Sequence, residues 1–149
     1  MSVAPRLFAI GAAVGLAASC GAPAARPIAY GKEACRHCHM TIADARFAAE
    51  LVTVKGKVYV FDDVGCLAAF VESGKVPATE IHSMWVNDFL HSDTRLEARD
   101  AAYLRVDSLQ TPMGSHLVAL RPADATKMQG VLGGDLVAWD HLEDRGHGD

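Results

Sequence analysis

The 149-residue chain has no excess of positive charge, no compositionally biased tract and no phosphate-binding glycine loop. It also lacks an apolar run of the roughly 20 residues that a membrane-spanning helix needs. Each absence removes a class of function. With 14 basic against 18 acidic residues the formal charge is −4, which argues against a nucleic-acid-binding face. Hydrophobic residues make up 50% of the chain, so nothing marks it as disordered. No nucleophile–base arrangement stands out, and the sequence makes no case for an enzyme. The length suits one domain, or two very small ones, with a core large enough to fold without disulfides.

What is present begins at the N-terminus. Arg6 precedes an apolar run from Leu7 to Ala18, followed by Ser19, Cys20 and Gly21. One basic residue, an apolar segment of about a dozen residues and small residues at its end read as an export signal. Because the run ends on Cys, it resembles a bacterial lipoprotein signal, cleaved before Cys20, which then carries the lipid and anchors the protein to a membrane. On this reading residues 1–19 are removed, and with them only Arg6 among the charged residues, leaving 13 − 18, or −5. Residues 20–30, rich in Ala, Pro and Gly, read as a flexible tether. The folded body is expected over residues 31–142 and a polar tail over residues 143–149.

The body reads as two similar halves, residues 31–90 and 91–142. Phe47 to Val54 and Lys57 to Phe61 flank Lys55-Gly56, a two-residue break that favours a hairpin. Asp62 or Asp63 can cap a helix on which Cys66, Leu67, Phe70 and Val71 share one face. Gly74 and Pro77 end that helix, and Ile81 to Val86 reads as another strand. The second half repeats the order: extended segments at residues 102–106 and 116–121, a helix opened by Pro122 and Asp124 and running to about Gly130, and a strand from Asp135 to Trp139. Residues 95–101 read equally well as a helical turn. The expected fold is α+β, with two small ββαβ units forming one compact body.

The chemistry is concentrated in Cys35-Arg-His-Cys-His-Met40. Cys35-x-x-Cys38-His39 satisfies the literal attachment pattern of c-type haem, with Met84, Met113 or Met128 as a distant second ligand. A structural zinc site is the poorer match, because Cys66 stands alone and no second ligand pair follows at the usual spacing. Thiolate and thioether two residues apart, at Cys38 and Met40, suit a soft ion such as Cu(I). A disulfide between Cys35 and Cys38, structural or redox-active, is the remaining reading in an exported protein. If Cys20 is lipidated, that disulfide leaves one thiol over.

The surroundings of this stretch carry a resemblance. Cys35-x-x-Cys38-x-Met40-Thr-Ile, Phe61-Asp-Asp-x-x-Cys66-Leu, Trp85-Val-Asn-Asp88 and Thr111-Pro-Met-Gly114 occur in this order over nearly the whole mature chain. Together they resemble the NosL family, exported lipoproteins that deliver copper to nitrous oxide reductase. The resemblance implies a fold of two ββαβ units and places the family's copper-binding Cys and Met on Cys38 and Met40, with a further Met on Met113. It implies Cu(I) as cargo, nitrous oxide reductase or its membrane-bound assembly machinery as partner, and a lipid-anchored location on the periplasmic side of a membrane. One thiolate and two thioethers make a sufficient Cu(I) site, and low coordination suits a carrier, since an acceptor's ligand can join before the old ones leave.

Around that core stand further candidates. His116 either reaches the metal or faces solvent. His37 and His39 flank Cys38 and read as exposed, and either could help to capture copper. Cys35 is a second sulfur, a redox partner of Cys38 or a spectator. Cys66, on the apolar face of its helix, reads more readily as a buried inert thiol than as a ligand. Asp62, Asp63 and Asp88 are accounted for by helix capping and turns. His82, His91, His141 and His147 are scattered. Two alternatives to copper delivery remain open at this point: a small cytochrome with haem at Cys35, Cys38 and His39, and a thiol–disulfide redox protein.

Overall fold

The computed structural model describes residues 21–143 together with Met1. The expected signal, the lipidated Cys20 and the tail from residue 144 onward lie outside the described residues.

In the first half, β1 (Ala49–Thr53) and β2 (Val58–Phe61) form the expected hairpin. Gly56 at its tip takes a φ of 81°, a left-handed conformation that costs glycine little. Helix α1 (Val64–Glu72) follows, then β3 (Ile81–Asn87). The second half repeats the plan with β5 (Ala102–Arg105), β6 (Leu117–Leu120), α2 (Pro122–Leu132) and β7 (Asp135–Val137), and a short α3 (Asp140–Glu143) closes the described chain. Both units have the same antiparallel topology, with the first strand in the centre: β2-β1-β3 in one sheet and β6-β5-β7 in the other. The two ββαβ units read from the sequence are thus the architecture observed.

Several details depart from expectation. Residues 95–97 form no helical turn; they are a strand, β4 (Arg95–Glu97), which pairs with β3 and extends the first sheet to four strands. The strand expected over 116–121 begins only after His116, whose φ of 58° is incompatible with extended backbone. Helix α2 runs two residues past Gly130, and β7 stops short of Trp139. The segment expected as a tether is held to the body from Arg26 onward. The Arg26 amide donates to Glu50 at 3.1 Å, and its guanidinium pairs with Glu33.

The halves share one main core, beside a smaller cluster of Phe47, Leu104, Val106, Val118 and Leu120. Leu51, Phe61, Leu67, Phe70 and Met84 of the first half pack in the same apolar cluster as Tyr103, Leu117, Ala119 and Trp139 of the second. Helix α1 lies at the junction, against β1 and β2 on one side and β6 and α3 on the other. A polar knot adds to the seam. Buried Asp88, at the end of β3, accepts from Leu90 N–H and lies 3.1 Å from His91 Nδ1 and 3.3 Å from Arg121 Nε at the start of α2. No described helix is long and apolar enough to cross a membrane.

Candidate metal centre

Residues 31–42 fold back on themselves as a closed loop. Ala34 bridges Thr41, Cys35 N–H donates to the Met40 carbonyl at 2.8 Å, and His39 N–H donates to the Cys35 carbonyl at 3.0 Å. His39 takes a φ of 65°, which turns the chain between Cys38 and Met40. Arg36 N–H donates to the Val60 carbonyl at 2.8 Å and so docks the loop on edge strand β2. Asp62 follows β2 directly, and Cys66 sits in the first turn of α1. A loop, a strand end and a helix start therefore meet at one point.

At that point the Sγ atoms of Cys35, Cys38 and Cys66 and a carboxylate oxygen of Asp62 all lie within 4.8 Å of one another. All three cysteines are free, and only Cys38 is more than marginally exposed. The Cys38 thiol donates toward both oxygens of Asp62, each at 3.3 Å. Sulfurs bound to one thiophilic ion at about 2.3 Å stand roughly 4 Å apart, so little contraction would convert the cluster into a coordination site.

The thiols are electrostatically unequal. The Cys66 S–H donates to Cys35 and pulls the Cys35 thiol down from the ordinary 9.0 to about 6; the amides of Cys38 and Asp62 also favour its thiolate, against burial. Burial pushes Cys38 up to about 11, and its side-chain hydrogen bonds with Cys35 and Asp62 reinforce the shift. Cys66 is pushed far up, first because its proton is shared with Cys35 and then by burial. The arrangement therefore favours the thiolate at Cys35 and the protonated thiol at Cys38 and Cys66.

The two methionines singled out by the sequence, Met40 and Met113, are both exposed. Met113, on the long connection from β5 to β6, is exposed, and its N–H donates to Asp63 Oδ2 at 3.1 Å. The other oxygen of the same buried carboxylate caps α1 by accepting from Gly65 N–H at 2.7 Å. One aspartate thus fixes both the helix that carries Cys66 and the loop that carries Met113. Between them lies a cavity of about 240 Å³ lined by His37, Gly65, Cys66, Met113 and Ser115. Met40 is 55% exposed and does not line that cavity. His116 also stays apart: its Nδ1–H donates to the Leu109 carbonyl at 2.8 Å, since a carbonyl can only accept. His39 is exposed beside Cys35.

Two readings of the sequence need correction. Asp62 is not a cap, because Asp63 alone caps α1 and leaves Asp62 facing the thiols. Cys66 is buried as expected, at 3% exposure, yet it is no isolated thiol, because α1 starts directly beneath the cysteine loop. The available signal was the doubled aspartate three residues ahead of a cysteine, of which only one can cap.

Two ββαβ units around one core, with three thiols and a carboxylate gathered where a loop meets the first helix, define an α+β domain with a thiol-rich candidate metal centre. The chain belongs to the NosL family, whose model matches residues 28–145. Its fold is similar to that in the crystal structure of the copper chaperone NosL from Shewanella denitrificans. The TM-score is 0.69 at 21% sequence identity, and the match covers 83% of this chain and 98% of that one. No curated protein matches the chain significantly.

Proposed function

We propose that the protein is an exported, lipid-anchored Cu(I) carrier that serves nitrous oxide reductase or the machinery that assembles it. The observation that carries this reading is the cluster of three cysteine sulfurs and one carboxylate within 4.8 Å. Thiolates select soft Cu(I). Cys35, Cys38 and Cys66 would bind the cargo, and Asp62, which accepts from the Cys38 thiol, would orient that sulfur. Met113 stands at the mouth, across the cavity from Cys66, where a thioether can share copper with an incoming acceptor ligand. Membership of the NosL family and the fold shared with a copper chaperone support the same reading. The N-terminal apolar run ending on Cys20 supports export and anchoring on the periplasmic side of a membrane, the outer membrane in a Gram-negative cell.

Haem is less well served. A porphyrin attached at Cys35 and Cys38 needs both sulfurs on an open face beside His39, whereas Cys35 is 1% exposed and its sulfur faces Cys66 and Asp62. A carrier also needs no catalytic group, and we assign none.

The test is a Cu(I) titration of the anaerobically reduced protein against a competing chelator, with Zn(II) in parallel. One Cu(I) per chain, with a sulfur-to-copper charge-transfer band in the near ultraviolet, is expected. Tight zinc binding without competitive copper uptake would instead make the cluster a Cys-and-Asp zinc site, and a covalently bound Soret chromophore would make the protein a cytochrome.

A further inference from the structure

The cysteine loop borders two separate cavities that share no lining residue. One is the Met113 cavity, which is reached past Cys66. The other, of about 370 Å³, is lined by Cys35, Arg36, His39, Lys57 and Tyr59, with Arg26 and Glu33 at its edge. Its charge is unlike that of the chain as a whole. Glu33 is its only acidic lining residue, and both of its oxygens are occupied by the Arg26 guanidinium, with the Ala29 amide on one of them. Among the described residues neither Arg36 nor Lys57 has a carboxylate partner. Both instead lie over the Tyr59 ring, with Arg36 Cζ 5.6 Å and Lys57 Nζ 4.7 Å from its centroid. Two exposed cations thus stand against one aromatic ring, in a cavity that Cys35 also lines, in a protein of net charge −4.

Such a field attracts small anions and concentrates them at the wall of the cluster. We propose that this cavity is an anion subsite that docks carboxylate-bearing thiolate complexes of Cu(I), so that copper enters past Cys35 while the Met113 cavity stays open to the acceptor. The inference rests on the copper reading above. The step is a ligand exchange without redox change. Bonds from copper to cysteine sulfur form as the bond to the donor thiolate breaks, the proton released by a cysteine thiol passes to the departing thiolate, and copper remains Cu(I).

The experiment is stopped-flow transfer of Cu(I) to the reduced full-length protein from two donors of matched size, the mercaptoacetate complex and the mercaptoethanol complex. The Arg36→Gln/Lys57→Gln double variant should take copper from the mercaptoacetate donor about tenfold more slowly. Its rate with the mercaptoethanol donor and its equilibrium Cu(I) affinity should match the native protein. Added salt should slow only the mercaptoacetate reaction, and Arg36→Lys should retain the native rate. Equal slowing with both donors, or no slowing with either, would overturn the subsite while leaving the carrier intact. Copper uptake by the native protein from neither donor would overturn the carrier reading and the subsite with it.

Discussion

The two halves of this molecule share a topology and differ in what they do with it. In the first, β1 and β2 are joined by a tight turn, and α1 buries Val64, Cys66, Leu67, Ala68 and Phe70 in the common core. In the second, the connection between β5 and β6 is a long loop that reaches across to the start of α1, and α2 buries only Ala125. Helix α1 has a side-chain cap from Asp63, whereas α2 starts at Pro122 with no side-chain cap. One copy of the motif therefore supplies a rigid helix start under a thiol loop. The other supplies a loop bearing Met113, with its helix left at the surface. The comparison teaches that the repeat provides the scaffold, and that the candidate site arises where the copies were elaborated differently.

Ligand substitutions, pH and unfolding measurements each test this asymmetry. Cys38→Ser or Cys66→Ser should lower Cu(I) affinity roughly a thousandfold, or about 4 kcal/mol, in a chelator competition. Met113→Leu, on the second half's loop, should lower it about tenfold or less with folding unchanged. Equal losses from the two halves would place copper between them instead of within the first.

The pH dependence comes next. Cys38 is pushed up to about 11 and Cys66 is also raised, so at neutral pH copper must displace both of their protons. Apparent affinity should therefore rise with pH, by up to about a hundredfold per unit near neutrality. Below about 6, where Cys35 also takes up its proton, the dependence should steepen further. A flat profile between pH 6 and pH 8, read by the same competition, would contradict this order of ionisation.

Asp63→Ala removes the cap of α1 and the acceptor of the Met113 amide together. It should cost about 2 kcal/mol in urea unfolding. A smaller contrast comes from two helical glycines. A Cβ on Gly65 would stand 2.7 Å from the Ser115 Cβ, so Gly65→Ala should destabilise by about 1–3 kcal/mol. A Cβ on Gly130 meets nothing within 4 Å, so Gly130→Ala should stabilise α2 by about 0.5–1 kcal/mol. Thermal melts of the two variants should move in opposite directions.

The ββαβ repeat was legible because its signals are local: the Lys55-Gly56 turn, apolar periodicity around Cys66 and Phe70, and Pro122 opening a helix. Strand β4 was not, since its three residues are all half-buried and owe their conformation to pairing with β3. The loop residues Cys35 and Cys38 stood out by spacing alone. Asp62 and Cys66 did not, for different reasons. Asp62 and Asp63 are equivalent as sequence and are told apart only by which of them meets the helix amides. The apolar helix face that holds Cys66 favours a buried inert thiol over a ligand, and only the fold shows the two other thiols beside it. Met40 stands out by its spacing from Cys38, and its side chain is exposed.

The central claim is that copper rests on the thiols of the loop and of α1. Copper-edge X-ray absorption of the Cu(I)-loaded native, Cys66→Ser and Met40→Leu proteins tests it most directly. The account predicts a shell of three sulfurs, from Cys35, Cys38 and Cys66, that loses one in Cys66→Ser and is unchanged in Met40→Leu. A shell that loses a sulfur in Met40→Leu and keeps all of them in Cys66→Ser would contradict it.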